Sequence, residues 1–305
     1  MASLKEIKLK IQSYKKTGTV THAMEAVSAV KMRKGQERAL SSRAYAAAAL
    51  SVLERLAGTV DVSRHPLMQT RTGKACYIVV TSDKGLAGSL NSGVIRQVEQ
   101  AISRTVRKQK DVVMIALGRR GGDYFGSRGY DVRAKHENVS DSVSEEQVRA
   151  ITDEVLKWHQ TGGITDVFVV YQNFISTFEQ QPTVRKIVPI LPEKMKEIVA
   201  GIRPARGRYA PVQGESLDKP AAYTIEPDAD TVLAELLPRL LNIAVFHALL
   251  ESKASEHSAR MVAMKSATDK AKEMAGNLTR TFNKVRQAAI TREVSEITSG
   301  IEAMR

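Results

Sequence analysis

The sequence predicts a mixed α/β protein in which the N- and C-terminal helices form a long antiparallel two-helix coiled coil. A small α/β domain with a mostly parallel sheet is inserted between them. Three observations carry this reading. The run from Arg239 to Arg305 holds no proline and only Gly276 and Gly300 as glycines, so it reads as one helix roughly 100 Å long at 1.5 Å per residue. The run from Ala2 to about Leu56 is also free of proline. Between the two, short apolar runs alternate with helical patterns, which marks an α/β domain with right-handed crossovers. The expected boundaries are 1–58 for the N-terminal helix, 75–225 for the α/β domain and 228–305 for the C-terminal helix.

In the N-terminal helix, Leu4, Ile7, Ile11 and Tyr14 repeat at helical spacing, followed by Val20, Met24 and Val27. Ser3 with Glu6 forms a capping box at its start, and Gly58 ends it. Gly18 with Thr17, Thr19 and Thr21 weakens it locally, so a packed partner has to enforce it. Residues 59–74 read as a linker. Tyr77 to Val80 is a short buried strand, residues 92–109 a helix, and Val112 to Leu117 a second strand. The glycine-rich piece from Gly118 to Gly129 reads as a loop or broken helix. Ser142 with Glu145 makes a capping box for a helix from about Val143 to His159, and Val167 to Tyr171 is a third strand. The apolar segments Phe174 to Phe178 and Val184 to Ile190, separated by Gln180, Gln181 and Pro182, suit a strand pair at a sheet edge. Residues 203–221 are a basic loop rich in Arg, Pro and Gly.

The C-terminal helix carries two apolar runs, Met274, Leu278, Phe282 and Val285, then Ile290, Val294, Ile297 and Ile301. A rod of this length cannot bury itself, so the stripe calls for a partner helix or a sleeve. Ala254, Ala259, Ala263, Ala267, Ala271 and Ala275 keep one flank thin, which lets another backbone approach closely. Met274 and Leu278 are expected to face the N-terminal helix.

Composition narrows the function. Hydrophobic residues make up 43%, enough for a core, and aromatics only 5%, too few for a base-stacking platform. The formal charge is +13. Residues 1–60 carry eleven Lys and Arg against four Asp and Glu, a balance of +7, whereas residues 228–305 carry eleven against ten, or +1. The basic excess near the N-terminus asks for an acidic partner. The start of the chain does not read as a signal peptide, and no run is read as a membrane span. A lone Cys76 excludes an internal disulfide.

No constellation in the chain reads as an active site. The turn SDKGLAGSLNSG follows the first strand, where a doubly wound sheet would bind a nucleotide, but Gly85 and Gly88 make neither phosphate-binding motif and read as turn glycines. His247 and Glu251, four residues apart, read as a helical ion pair rather than metal ligands, since no further ligands accompany them. Asn138-Val139-Ser140 matches a glycosylation acceptor and is set aside for want of a secretory signal. Catalytic residues, cofactors and metals are therefore not expected.

The segments THAMEAVSAVKMRKGQER, ASEHSARMVAMKSATDKA and NKVRQAAITREVSEITSG strongly resemble the γ subunits of F-type ATP synthases, and SDKGLAGSLN is similar to that family's turn after the first central strand. The resemblance covers the whole chain in order. It implies a rotating shaft inside the α3β3 catalytic head, with the α/β domain as a foot on the ring of c subunits and an ε subunit as a further partner. It implies no catalytic site, no nucleic-acid partner, and contact with the membrane only through the c ring. By position, Met24, Lys31, Arg33 and Lys34 on the N-terminal helix resemble residues near the catalytic subunits. Arg286, Gln287, Thr291, Glu293 and Glu296 resemble the polar residues around the upper shaft. Tyr223 and Glu226, in YTIEPD, resemble the segment that touches the c ring. Ala87 stands where the family often has cysteine and the regulatory cysteine pair of plastid members is missing, so thiol control is not expected. The arginine-rich loop 203–219 has no match.

Two other readings stay open at this point: a basic coiled-coil nucleic-acid binder, supported by charge alone, and a nucleotide-using enzyme on the α/β domain. The start of the chain favours the cytoplasmic face of a bacterial inner membrane, with the matrix side of a mitochondrial inner membrane as the alternative.

Overall fold

A computed structural model describes residues 4–59, 65–105, 108–195 and 225–304. Ser3, Tyr223 and the basic stretch 203–221 lie outside them. The chain divides into two compact units, one made of Met1–Ser28 with Met261–Arg305, the other of Ala29–Arg260.

The elements run α1 (Leu4–Ser41), α2 (Arg43–Thr59), a 3-10 turn (Pro66–Met68), β1 (Ala75–Val80), α3 (Leu90–Arg104) and β2 (Val112–Leu117). They continue with α4 (Arg119–Ser127), β3 (Asp131–His136), α5 (Glu145–Gln160), β4 (Asp166–Ser176), β5 (Glu179–Val188) and α6 (Ala229–Ala303). The expected N-terminal helix is thus two helices parted at Ser42, and the second passes through Gly58 to Thr59. Backbone bonds from Ser42 N to Arg38 O and from Ala46 N to Ser42 O carry the chain across the break.

Within Ala29–Arg260 the strands form one five-stranded sheet in the order β3-β2-β1-β4-β5, parallel except for the β4–β5 hairpin. β1 and β2 are buried at every position, because both sheet faces are covered. Alternate residues sort to the two faces as the pleat requires. Cys76, Ile78, Val80, Val113, Ile115 and Leu117 join a core built with α2, α5 and the early part of α6, while Tyr77, Val79 and Met114 join a second core under α3 and α4. The mostly parallel sheet bears out the expected fold class. The unit that holds it is wider than 75–225, since Leu50, Leu53 and Leu56 of α2 and Leu237, Leu240 and Leu241 of α6 complete the first core.

Several local expectations are corrected. α6 runs through Pro238, so the helix extends ten residues ahead of the proline-free run that starts at Arg239. A proline inside a helix costs about 3 kcal/mol, yet Leu233, Leu237, Leu240 and Leu241 around it are buried against the sheet, each worth about 1.5–3 kcal/mol. Asp228 starts the helix, its carboxylate accepting from Thr231 N at 2.8 Å and Thr231 Oγ1 at 2.7 Å. The same helix contains an 18-residue window as apolar as a membrane span, half of it buried inside the protein. Its apolarity is accounted for by the sheet it covers.

The capping box of α5 is Ser144 with Gln147, two residues beyond the expected pair. Ser142 instead uses its N–H on Ser140 Oγ at 3.1 Å. Val143 and Val148 flank the box and are both buried, a hydrophobic staple that favours this register. The glycine-rich segment forms α4, where Gly118 sits at φ 99 and a Cβ would run into the Thr81 carbonyl. Gln180 to Pro182 are not a turn but part of β5, whose place at the sheet edge tolerates a proline. β3, with its charged sequence DVRAKH, is the other edge.

Candidate functional site

A doubly wound sheet binds ligands in the crevice beyond the carboxyl ends of its strands, and here that crevice is occupied by the protein itself. Ser82 N donates to Asn91 Oδ1 at 2.9 Å, Asn91 Nδ2 donates to Ser82 Oγ at 2.8 Å, and Ser82 Oγ donates to Lys84 O at 2.6 Å. Asp83 accepts from Arg119 N at 3.0 Å. What space is left, about 10 Å³, is closed by Leu249, Ser252, Lys253 and Glu256 of α6. That volume holds about one water, so the loop glycines serve the turn: Gly88 and its neighbour Leu86 have φ of 58 and 64.

Next to this plug, a polar clasp ties α1, the loop before α5 and α6 together. Asp141 Oδ2 accepts from Lys31 Nζ at 2.7 Å, Asp141 Oδ1 lies 2.8 Å from His257 Nε2, and the Asp141 carbonyl accepts from Arg38 at 3.1 Å. Burial alone would raise the Asp141 carboxyl, but the bonds from Lys31 and His257 outweigh it and hold it at about 2. Burial depresses His257 below its ordinary value despite the carboxylate. The network therefore assigns a neutral ring at neutral pH whose Nε2–H donates to Asp141 while Nδ1 accepts from Arg260, 3.4 Å away. Arg260 in turn donates to Glu256 at 2.7 Å. His257 lies within the ASEHSAR segment, but its partner on a polar loop 116 residues away gave no sequence signal. Lys31 is thus bonded to Asp141 and, like Arg33 and Lys34, is exposed.

His247 and Glu251 lie side by side and buried, with Nδ1 3.7 Å from Oε1, but burial takes His247 down to about 4, so they are neighbours and not the expected ion pair at neutral pH. Among the described residues no group of three or more His, Cys, Asp or Glu is placed to hold a metal.

In the other unit α1 and α6 run antiparallel. A Cβ on Gly18 would meet the Ala271 methyl at 3.6 Å, and one turn on, the Thr21 and Thr268 hydroxyls are hydrogen-bonded at 2.6 Å. Met264, Thr268, Ala271 and Ala275 are buried in this seam, and Met274, Leu278, Phe282 and Val285 are half-buried. The thin alanine flank is therefore the contact line, and Gly18 and Thr21, read as weak points, are what lets the backbones close. Val20 and Val27, expected in the stripe, are instead 58% and 54% exposed. Met24 is half-buried. Beyond Val285 every residue of α6 with a described surface is exposed, among them Arg286, Gln287, Thr291, Glu293 and Glu296. The stripe Ile290, Val294, Ile297 and Ile301 is between 51% and 60% exposed. Glu226, in the other unit, is also exposed.

This arrangement can be set beside known proteins. A family model described as ATP synthase matches residues 3–304. The ATP synthase gamma chain of Heliobacterium modesticaldum is 36% identical over 305 residues, and that of Geotalea daltonii is 38% identical over 306 residues, with 100% of both chains covered in each case. The chain belongs to the ATP synthase gamma-chain family. A chain from the central stalk and c-ring of the Tetrahymena thermophila mitochondrial ATP synthase superposes with a TM-score of 0.59 at 22% identity, covering 81% of this chain and 99% of that one. A chain from the Euglena gracilis mitochondrial ATP synthase gives 0.64 at 16% identity, covering 99% and 94%. At these identities the likeness shows the fold. Membership makes this a non-catalytic subunit with a central-stalk role in F-type ATP synthase, associated with the membrane-bound complex.

Proposed function

We propose that this chain is the rotor of its complex, coupling ion flow through the c ring to conformational change, and so to ATP synthesis or hydrolysis, in the α3β3 head. The observation that carries the reading is the way α6 outlasts its partner: a covered seam as far as Val285, then bare helix with a polar collar and an isoleucine-valine stripe. A lone helix exposing four large aliphatics needs a sleeve, and an apolar surface without fixed polar partners lets that sleeve turn over it. The head's three sites then take different conformations according to which face of an asymmetric shaft each one meets.

In this reading Met24, Lys31, Arg33, Arg286, Gln287, Thr291, Glu293 and Glu296 meet α and β subunits, Tyr223 and Glu226 meet the c ring, and an ε subunit binds the chain as well. The complex sits at the cytoplasmic face of a bacterial inner membrane. Co-expression with α and β tests the core of this: a stoichiometric complex with ATP turnover is expected, and a chain that elutes apart from α and β overturns it.

A further inference from the structure

Four ionisable side chains meet on the face of the sheet that α6 covers. Tyr171 comes from β4, Arg185 from β5, and His247 and Glu251 from consecutive turns of α6. Tyr171, His247 and Glu251 are 2%, 3% and 5% exposed. Arg185 Cζ lies 5.8 Å from the centre of the Tyr171 ring. The 3.7 Å between His247 Nδ1 and Glu251 Oε1 is within ion-pair reach and too long for a hydrogen bond. Glu251 Oε2 and His247 Nε2 are both sealed from solvent without a hydrogen-bond partner. An ionised carboxylate in such a place loses its hydration and keeps in return only the Tyr171 hydroxyl and the charge of Arg185, with Oε2 unpartnered. Placing a proton on the pair removes that penalty.

We propose that the Glu251–His247 pair is a proton-binding site, holding one proton inside the α/β unit and releasing it as the surroundings turn alkaline. Burial pushes Glu251 up to about 7, against the opposing pull of Arg185 and of the Tyr171 hydroxyl. Burial takes His247 down to about 4, with Arg185 adding to the effect and the Ala39 carbonyl of α1 opposing it. Burial raises Tyr171 well above its ordinary value, so it stays a phenol throughout. Arg185, Tyr171 and the Ala39 carbonyl are thus the groups that β5, β4 and α1 turn toward the pair.

The signs follow from linkage. Glu251 keeps in the folded state a proton that it loses when unfolded, so stability falls as pH rises through about 7. His247 sheds in the folded state a proton that it keeps when unfolded, so stability falls as pH drops from 6.5 toward about 4. Between those limits the pair carries a single proton. Because α1, β4, β5 and α6 all reach it, its occupancy sets how firmly α6 is held on the sheet.

The test needs only the full chain, without partner subunits, and so stands apart from the rotor reading. With glutamate labelled at the side-chain carboxyl carbon, a titration by NMR from about pH 5 to about pH 9 should show one carboxyl with a midpoint near 7, missing in Glu251→Gln. The melting temperature of the unmodified chain should stay level up to about pH 6.5, where the contributions of Glu251 and His247 oppose each other, fall between there and about 7, and level off above; that of Glu251→Gln should not fall in that interval. If the variant fails to fold, the unmodified chain decides alone. No glutamate titrating above about pH 6 overturns the proposal, and so does a variant that retains the signal.

Discussion

His257 Nε2 lies 2.8 Å from Asp141 Oδ1, joining α6 to the loop in front of α5. The same carboxylate takes Lys31 from α1, so one aspartate joins the parts of α1 and α6 that lie within Ala29–Arg260. Asp141→Ala should lower the stability of the free chain by about 1–2 kcal/mol, the upper range for charged hydrogen bonds being discounted for the exposure of Asp141 and Lys31. Since the Asp141 carboxyl is held at about 2 instead of 3.8, its contribution is present at neutral pH and is lost only as pH falls through about 2. Thermal melts of wild type and variant should therefore differ at neutral pH and converge in strong acid.

The seam between α1 and α6 sets up an opposite pair of outcomes at Gly18. A methyl there meets Ala271 at an ordinary 3.6 Å, so Gly18→Ala should fit and stabilise by about 0.5–1 kcal/mol through helix propensity. Gly18→Leu should cost about 1–3 kcal/mol by overpacking. Denaturant midpoints of the two variants check the contrast. A stabilising leucine would mean that the helices are not in close contact there.

Seam and collar should separate in function. Leu278 is half-buried, so Leu278→Ala should cost about 1–3 kcal/mol, less than the 2–5 of a fully buried site. Gln287→Ala and Glu293→Ala remove exposed side chains and should change the free chain by at most about 0.5 kcal/mol. In complexes with α and β the collar variants should instead lower ATP turnover per complex at normal yield. Collar variants that fail to assemble, beside a Leu278→Ala complex that assembles and turns over slowly, would reverse the assignment of the two faces.

The α/β unit offers a test of its own limits. Residues 75–225 alone leave Ile78, Ile115 and Val169 without the leucines of α2 and α6 that share their core. That fragment should give collapsed amide dispersion by NMR, and a fragment carrying 29–260 should give a dispersed spectrum. A well-dispersed 75–225 would show that the covering helices are dispensable.

These contrasts also mark what the sequence disclosed. β1 and β2 were legible because both faces are buried and the runs are uniformly apolar. β3 was not, since an edge strand such as DVRAKH has only half-covered alternate positions to mark it. The seam was legible on one side: smallness marked the alanine flank with Ala271, while on α1 apolarity pointed to Val20 and Val27 and close contact selects Gly18 and Thr21 instead. Pro238 lies inside α6 because the buried leucines around it outweigh a local propensity that weighs against it. The exposed collar was legible by resemblance, whereas the Asp141 clasp joins polar residues far apart in the chain and has no local pattern.

Rotation of the shaft can be watched on a single complex. Cys76 is buried and its thiol is pushed up to about 12, so it should not react, and a cysteine introduced by Lys110→Cys at an exposed position would be labelled alone. With α3β3 fixed to a surface and a bead on that cysteine, ATP is expected to drive the bead round in one direction, in steps of a third of a turn set by the threefold head. A complex that hydrolyses ATP while its bead only fluctuates would contradict the rotor role.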